Sequence, residues 1–486
     1  MGPILLSAQL LNILKSPESV DEGARYQVIF KRLQLAILQG ALVGGTRLPA
    51  TRELSSALGV ARNTVKTAYE MLVAEGYVET VTGSGSYVAH LPESVLRNKP
   101  SKTKQDPGLS VSEYAKQFLG FTPLNPDTRK LLQPGIPAID QFPIEQWKRC
   151  LARAASFKLL ESSPPAGDLR LREQISKYLL RHRGIEVKAD QILVTSGSQQ
   201  AIHMVAQLLT NSGDRVVVET PGFPGISGAF KAAGCKIDTV QFPLIDALKQ
   251  KAALLSLTPS RNFPLGHTIS LAERLEVIRW AEAEDAWILE DDYDSEFALG
   301  HPVSSLFAIS DYQRVIYTGT FSRSMFPAIR LGYVVLPELL VPLFSRARRY
   351  MDGGLSGVTQ VAMAEFMEQG YFARHLKKMS GLYQKRLNIL SQEVKASCLS
   401  DLPILGAEGG MHLVLGLPDE IEDKRLVKQL KQDGLGVRAL SGYTQEGPKL
   451  NGLVIGYCAE SEEQIRRGIQ LIGKHYKNVR GHSKLG

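Results

Sequence analysis

The chain has 486 residues, too many for one compact core, so two or three domains are expected. Its 44% hydrophobic and 22% charged residues are those of a soluble globular protein, and no apolar run approaches the length of a membrane span. The net charge of +8 permits an anionic partner, and four scattered cysteines without a C-x-x-C pair argue against a disulfide or zinc framework.

The opening Met1-Gly2-Pro3-Ile4-Leu5-Leu6 is apolar but lacks a basic flank, so a signal peptide is not expected. Cys150, Cys235, Cys398 and Cys458 read as reduced thiols, which points to a cytoplasmic protein.

The first block, residues 23–91, reads as short helices closed by a Gly-rich hairpin. A helix over 24–39 carries Val28, Leu33 and Ile37 at roughly helical spacing and ends at Gly40. Next comes Leu48-Pro49-Ala50-Thr51-Arg52-Glu53-Leu54, where Thr51 is expected to cap a short helix that stops at Gly59. A second helix follows at Ala61-Arg62-Asn63-Thr64-Val65-Lys66-Thr67-Ala68-Tyr69. Helices joined by a Gly turn make a helix-turn-helix, whose second helix enters the DNA major groove. Val65, Ala68, Tyr69 and Leu72 are expected inside, and Arg62, Asn63, Thr64, Lys66 and Thr67 on or near the outer face. Segments 76–81 and 86–89 then alternate around Thr82-Gly83-Ser84-Gly85, a hairpin whose tip lets backbone come close to phosphate.

Residues 92–125 include Lys99-Pro100-Ser101-Lys102-Thr103-Lys104, a basic linker. From 126 to 486 apolar strands alternate with amphipathic helices, the pattern of an α/β domain with a mainly parallel sheet. Strands are expected within 191–198, 215–223, 253–259, 286–293 and 314–320. Ligands in such sheets bind beyond the carboxyl ends of the strands, where the polar residues of these segments converge.

The first block resembles the GntR-type winged helix, through its Leu-Pro-x-x-Arg at Leu48–Arg52 and the Gly-x-Gly of the hairpin. The resemblance implies contacts with double-stranded DNA from Arg52, Arg62, Asn63, Thr64, Lys66, Gly83 and Gly85. Most of 130–475 is similar to fold-type-I pyridoxal-phosphate aminotransferases. The markers are Gly135-Ile136-Pro137, Pro165-Ala166-Gly167-Asp168, Thr195-Ser196-Gly197-Ser198-Gln199, Glu290-Asp291-Asp292-Tyr293 and Arg330-Leu331-Gly332-Tyr333. The combination resembles the MocR-type regulators, which fuse the two folds.

For such a body the resemblance implies a pyridoxal 5'-phosphate site. Gly197, Ser198, Thr320 and Arg330 would hold the phosphate, Phe223 would lie on the ring face, Asp291 at the ring nitrogen and Tyr293 at the ring hydroxyl, with Gln199 also among the cofactor-binding residues. The segment Thr320-Phe321-Ser322-Arg323-Ser324 stands where the family carries its cofactor lysine, but position 323 is arginine. A guanidinium stays protonated and is a poor nucleophile. Any cofactor would then be held non-covalently, and catalysis is not expected. Arg323 is left to pair with a phosphate, a carboxylate or Asp291, or to fill the pocket.

Other positions also depart from the family. Glu161-Ser162-Ser163 replaces a tyrosine that reaches the phosphate across a dimer, and Arg261-Asn262 with Leu265 replaces the usual His-Gln and Pro-Thr-Gly. No arginine lies near Val454 to grip a substrate carboxylate, while Arg438 could bind an anion or serve at the surface. The main expectation is a homodimeric DNA-binding regulator with an inactive aminotransferase-like effector sensor. The effector would be pyridoxal phosphate, an amino acid or their adduct. The alternatives are a working pyridoxal-phosphate aminotransferase and a scaffold with a dead pocket.

Overall fold

The computed structural model describes residues 8–15, 24–92, 111–112, 115, 130–155, 164–241, 251–300, 303–311, 313–445, 447 and 450–483. The linker motif at 99–104 and the Glu161-Ser162-Ser163 position lie outside them. The chain divides into two units, Met1–Ser112 and Glu113–Gly486.

In the first unit, α1 (Ala8–Lys15), α2 (Arg25–Leu38), α3 (Thr51–Leu58) and α4 (Arg62–Ala74) precede the strands β1 (Val78–Val81) and β2 (Gly85–Val88). Leu33, Ile37, Leu54, Val65, Ala68 and Leu72 are buried in one core because each recurs on the inward face of its helix. The hairpin is antiparallel, with Val78 opposite Val88 and Val81 opposite Gly85. Helices and hairpin form the expected winged helix-turn-helix. Tyr69 anchors α4 to the loop before α3 by donating its hydroxyl to the Pro49 carbonyl at 3.0 Å.

Two details differ from expectation. Thr51 is not the cap of α3: Ala50 holds that position without a side-chain bond, and Thr51 is the first helical residue. Its hydroxyl instead accepts from Arg62 Nε at 3.4 Å, linking α3 to α4. The helix α1 was not expected, yet Leu10 and Leu14 bury in the same core.

The second unit is built on a seven-stranded sheet of order β3-β9-β8-β7-β6-β4-β5. These strands are β3 (Ile192–Thr195), β4 (Arg215–Glu219), β5 (Lys236–Val240), β6 (Leu254–Leu257), β7 (Trp287–Asp292), β8 (Val315–Thr320) and β9 (Gly332–Val335). β4 through β8 pair in parallel, and β9 runs antiparallel to both β3 and β8. Val217, Leu255, Ile288 and Val315 bury on one face; Val216, Val218, Leu254, Leu289 and Ile316 bury on the other. Successive strand residues point to opposite faces, so these runs must be apolar throughout because helices cover both sides.

A second sheet, antiparallel and of order β10-β11-β13-β12, comprises β10 (Ile404–Leu405), β11 (His412–Gly416), β12 (Arg438–Ala439) and β13 (Gly452–Gly456). No helix among the described residues is long and apolar enough to cross a membrane. All four cysteines are free.

Candidate functional site

The parallel strands β4, β6, β7 and β8 end on one rim, where a cavity of about 360 Å³ opens. Gly197, Ser198, Gln199, Phe223, Asp291, Tyr293, Thr320, Arg323 and Arg330 all line it. The structure therefore brings together every cofactor candidate singled out in the large unit.

Gly197 ends the β3 turn at φ +111° and caps the helix Ser198–Leu209. A helix start leaves its first N–H groups without internal partners, which suits an anion. Gln199 is already engaged, donating from Nε2 to the Gly225 carbonyl at 2.8 Å. Thr320, the last residue of β8, accepts from the Ser322 N–H at 3.2 Å and so caps the short turn Phe321–Ser324 that carries Arg323. Arg330 is exposed and takes the left-handed conformation at φ +46°.

Asp291 is buried near the end of β7 and accepts from the Thr318 hydroxyl at 2.8 Å. Burial pushes its carboxyl up to about 6; the Thr318 bond opposes the shift, the Asp292 charge adds to it, and the Arg323 charge opposes it. Behind it, Asp292 pairs with buried Arg183 at 2.9 Å and accepts from the Tyr317 hydroxyl at 2.6 Å. Tyr293 has a buried hydroxyl with no protein partner. Its ring lies edge-on to Phe263 at 5.7 Å and parallel to His412 at 6.4 Å. Phe223 is also edge-on to Phe263, at 6.2 Å.

Arg323 donates from Nη1 to the Gly135 carbonyl oxygen. Burial lowers its guanidinium pKa, and the charges of Asp294, Tyr293, Asp291 and Tyr443 oppose that shift. Among the described residues no carboxylate stands within ion-pair distance of it, so it is not bonded to Asp291. Nor does it close the cavity, which stays open beside it.

Sequence reasoning missed the residues that the small sheet and its loops contribute. Met411, His412 and Tyr443 line the cavity, as do Thr258 and Phe263 from the loop after β6. The Nε2 of His412 lies 2.9 Å from the Pro264 carbonyl. Burial, then the nearby Arg261 charge, pushes its pKa down to about 3. Their positions follow from chain reversal across the small sheet, which no local motif announces. Arg261 lies behind the wall: Nη2 donates to the carbonyls of Gly406 at 3.0 Å and His412 at 2.9 Å, and Nε stands 3.5 Å from Asp294. Arg438, left open between an anion and the surface, lines the cavity.

On the first unit, Arg52, Arg62, Asn63 and Lys66 are exposed and Thr64 is half-buried. Lys66 pairs loosely with Glu70 at 3.5 Å, both side chains solvated. Gly83 and Gly85 at the hairpin tip have φ of +76° and +122°.

Comparison with known proteins accounts for both units. The profile "Aminotransferase class I and II" matches residues 132–472, and "Bacterial regulatory proteins, gntR family" matches 25–88. The probable rhizopine catabolism regulatory protein MocR of Rhizobium meliloti is 34% identical, over 91% of this chain and 92% of its own length. The HTH-type pyridoxine biosynthesis transcriptional regulator PdxR of Corynebacterium glutamicum is 31% identical, over 90% of this chain and 92% of its own. Among solved structures, the kynurenine aminotransferase of Pyrococcus horikoshii superposes with a TM-score of 0.69 over 77% of this chain and 98% of that one. At 24% identity that likeness shows the fold: a fold-type-I aminotransferase body. Two profiles in this order, and regulators similar over nine-tenths of the chain, make it a member of the MocR-like transcriptional regulators, in which a GntR helix-turn-helix module is joined to an aminotransferase class I and II domain.

Proposed function

We propose that this regulator binds double-stranded DNA through its winged helix and reads a small effector in the large unit without turning it over. The observation that carries the reading is the Arg323 guanidinium in a cavity that also holds Asp291 and Tyr293. Arg323 stands, in this reading, at the position of the family's cofactor lysine. A protonated guanidinium has no lone pair to attack an aldehyde and no proton to shuttle at ordinary pH.

The residues present fit pyridoxal 5'-phosphate. The orphaned Tyr293 hydroxyl is a buried polar group in need of a partner, which the ring hydroxyl would be. Asp291 would hold the ring nitrogen, Phe223 would cover the ring face, and Gly197, Ser198, Thr320 and Arg330 would hold the phosphate. When bound, the pyridine ring supplies an electron sink. Here it serves recognition: Asp291 orients the ring, Phe223 and Phe263 keep water from its face, and Arg323 donates hydrogen bonds without bonding covalently.

Arg62, Asn63, Thr64 and Lys66 would enter the major groove from α4, with Arg52, Gly83 and Gly85 on the phosphates. Two chains would pair so that two winged helices read two half-sites, in a cytoplasmic homodimer. Native mass spectrometry of protein mixed with pyridoxal phosphate tests the effector reading, with borohydride reduction and peptide mapping. The expected result is a reversible complex and no cofactor fixed to the 321–330 peptide. Attachment at position 323, or robust transaminase turnover, would overturn it.

A further inference from the structure

One buried cation behind the cavity has no role in the effector reading. Arg261 is 4% exposed and stands outside the set of lining residues. It lies on the loop after β6, two residues before Phe263. Its guanidinium reaches across to the four-stranded sheet. There Nη2 donates to the carbonyl of Gly406, in the turn after β10, and to that of His412, the first residue of β11. On its own side Nε faces the buried carboxylate of Asp294, on the loop after β7, at 3.5 Å. Asp294 in turn accepts from the Met411 N–H at 3.1 Å. Two side chains from the seven-stranded sheet thus clamp the 406–412 segment of the other sheet.

That segment is shaped around the guanidinium. Gly266, Gly406 and Gly410 lie against it, with φ of +81°, +75° and +77°. A Cβ on Gly266 or Gly406 would stand 3.1 Å from Nη2, and one on Gly410 would collide with Nε. Burial works against the charge, but Asp294, Tyr293, Tyr457 and Glu408 outweigh it, so the guanidinium pKa is raised. A planar fork can span two carbonyls and a carboxylate at once, which a lysine ammonium cannot. The tie also joins two residues of the cavity wall. The rings of Phe263 and His412 are 5.2 Å apart, and Phe263 meets Tyr443 at 5.1 Å.

We propose that Arg261 is the positioning residue that holds two walls of the cavity, Phe263 from the seven-stranded sheet and His412 from the four-stranded one, at a fixed spacing. The effector then enters a cavity already set to its width, and neither sheet shifts against the other on binding. This consequence for the effector rests on the effector-site reading above; the tie itself does not.

Amide hydrogen exchange of the full chain tests it, with pyridoxal 5'-phosphate as the probe. The double variant Arg261→Met, Asp294→Asn removes the tie without leaving an unpaired buried carboxylate, and the new amide oxygen can still accept from Met411. In the unaltered chain, residues 406–412 should exchange slowly without the probe and change by less than about twofold at saturation. In the variant the same segment should exchange about tenfold faster without the probe and regain protection when it binds, while β7 and β8 keep their rates. A variant whose 406–412 segment matches the unaltered chain would overturn the proposal. So would faster exchange spread equally over β7 and β8, which marks a general loss of stability. An unaltered chain that gains about tenfold protection at 406–412 on binding would overturn it too, since the walls would then be moving. Failure of the probe to bind the unaltered chain would instead overturn the effector reading, and the comparison without probe would still decide the tie.

Discussion

The Arg323 guanidinium donates to the carbonyl oxygen of Gly135, and the two residues are in such close contact that a Cβ on Gly135 would collide with Nη1. Gly135 also has φ +76°, where a side chain is strained. The substitution Gly135→Ala therefore must either move the guanidinium or bend its own backbone. The expected outcome is a stability loss of about 1–2 kcal/mol by denaturant unfolding, together with weakened binding of pyridoxal phosphate. Unchanged stability and unchanged binding would show that Arg323 does not depend on this contact.

Changing Arg323 to lysine tests whether the inherited geometry is intact. Arg323→Lys replaces a fixed cation with an amine that can deprotonate when buried. With pyridoxal phosphate it should acquire a visible absorption band and a borohydride-stable modification at position 323. A well-folded variant with neither would favour a scaffold whose pocket no longer accepts the cofactor.

The DNA-binding face separates base contacts from phosphate contacts. Arg62→Ala should weaken operator binding about ten- to a hundredfold, as expected for loss of a base-reading arginine. Arg52→Ala should lower affinity more uniformly across sequences and reduce the slope of log affinity against log salt by about one. Gel shifts over a salt series measure both. A chain deleted of residues 1–91 that still binds operator would remove the winged helix from this role.

Sedimentation at micromolar concentration should give about twice the 53.4 kDa chain mass. A clean monomer with and without DNA would count against the homodimer.

His412 should contribute to acid sensitivity. Its folded pKa of about 3 lies below the unfolded value near 6.5, so folding keeps it neutral. The stability this brings is present above about pH 6.5 and is lost as the pH falls toward 3. His412→Gln can retain a donor toward the Pro264 carbonyl without titrating. Between pH 7.5 and 5 the variant should lose about 1–2 kcal/mol less than the unaltered chain. An identical pH profile for both would show that His412 is not the sensitive group.

Much of this architecture was legible in the chain, for identifiable reasons. β4, β6, β7 and β8 are apolar runs bounded by polar residues, because they are covered on both faces. β5 is half-exposed, and β10 and β12 are two residues long, too little for a period to register. Asp291, Tyr293 and Thr320 could be read because they sit at or just past strand ends, and Arg330 because it opens the Arg-Leu-Gly-Tyr run that leads into β9. Met411, His412 and Tyr443 could not, since only the folding of a second sheet brings them to the cavity. Thr51 misled because a hydroxyl at a helix start is usually a cap, and here Arg62 engages it instead.

Gly332, the first residue of β9, pairs with Thr195 on one side and Thr320 on the other. A Cβ there would stand 2.8 Å from the Gly197 α-carbon and 2.8 Å from the Gly319 carbonyl oxygen. One hydrogen atom is thus the spacer between the two strand ends that carry the proposed phosphate contacts. A single methyl group at this position would press on the Gly197 backbone and the Gly319 carbonyl and so wedge the two strand ends apart. The width of the anion cradle is therefore set from inside the sheet, and a variant could lose its response to the effector while every residue that would contact the effector stays the same.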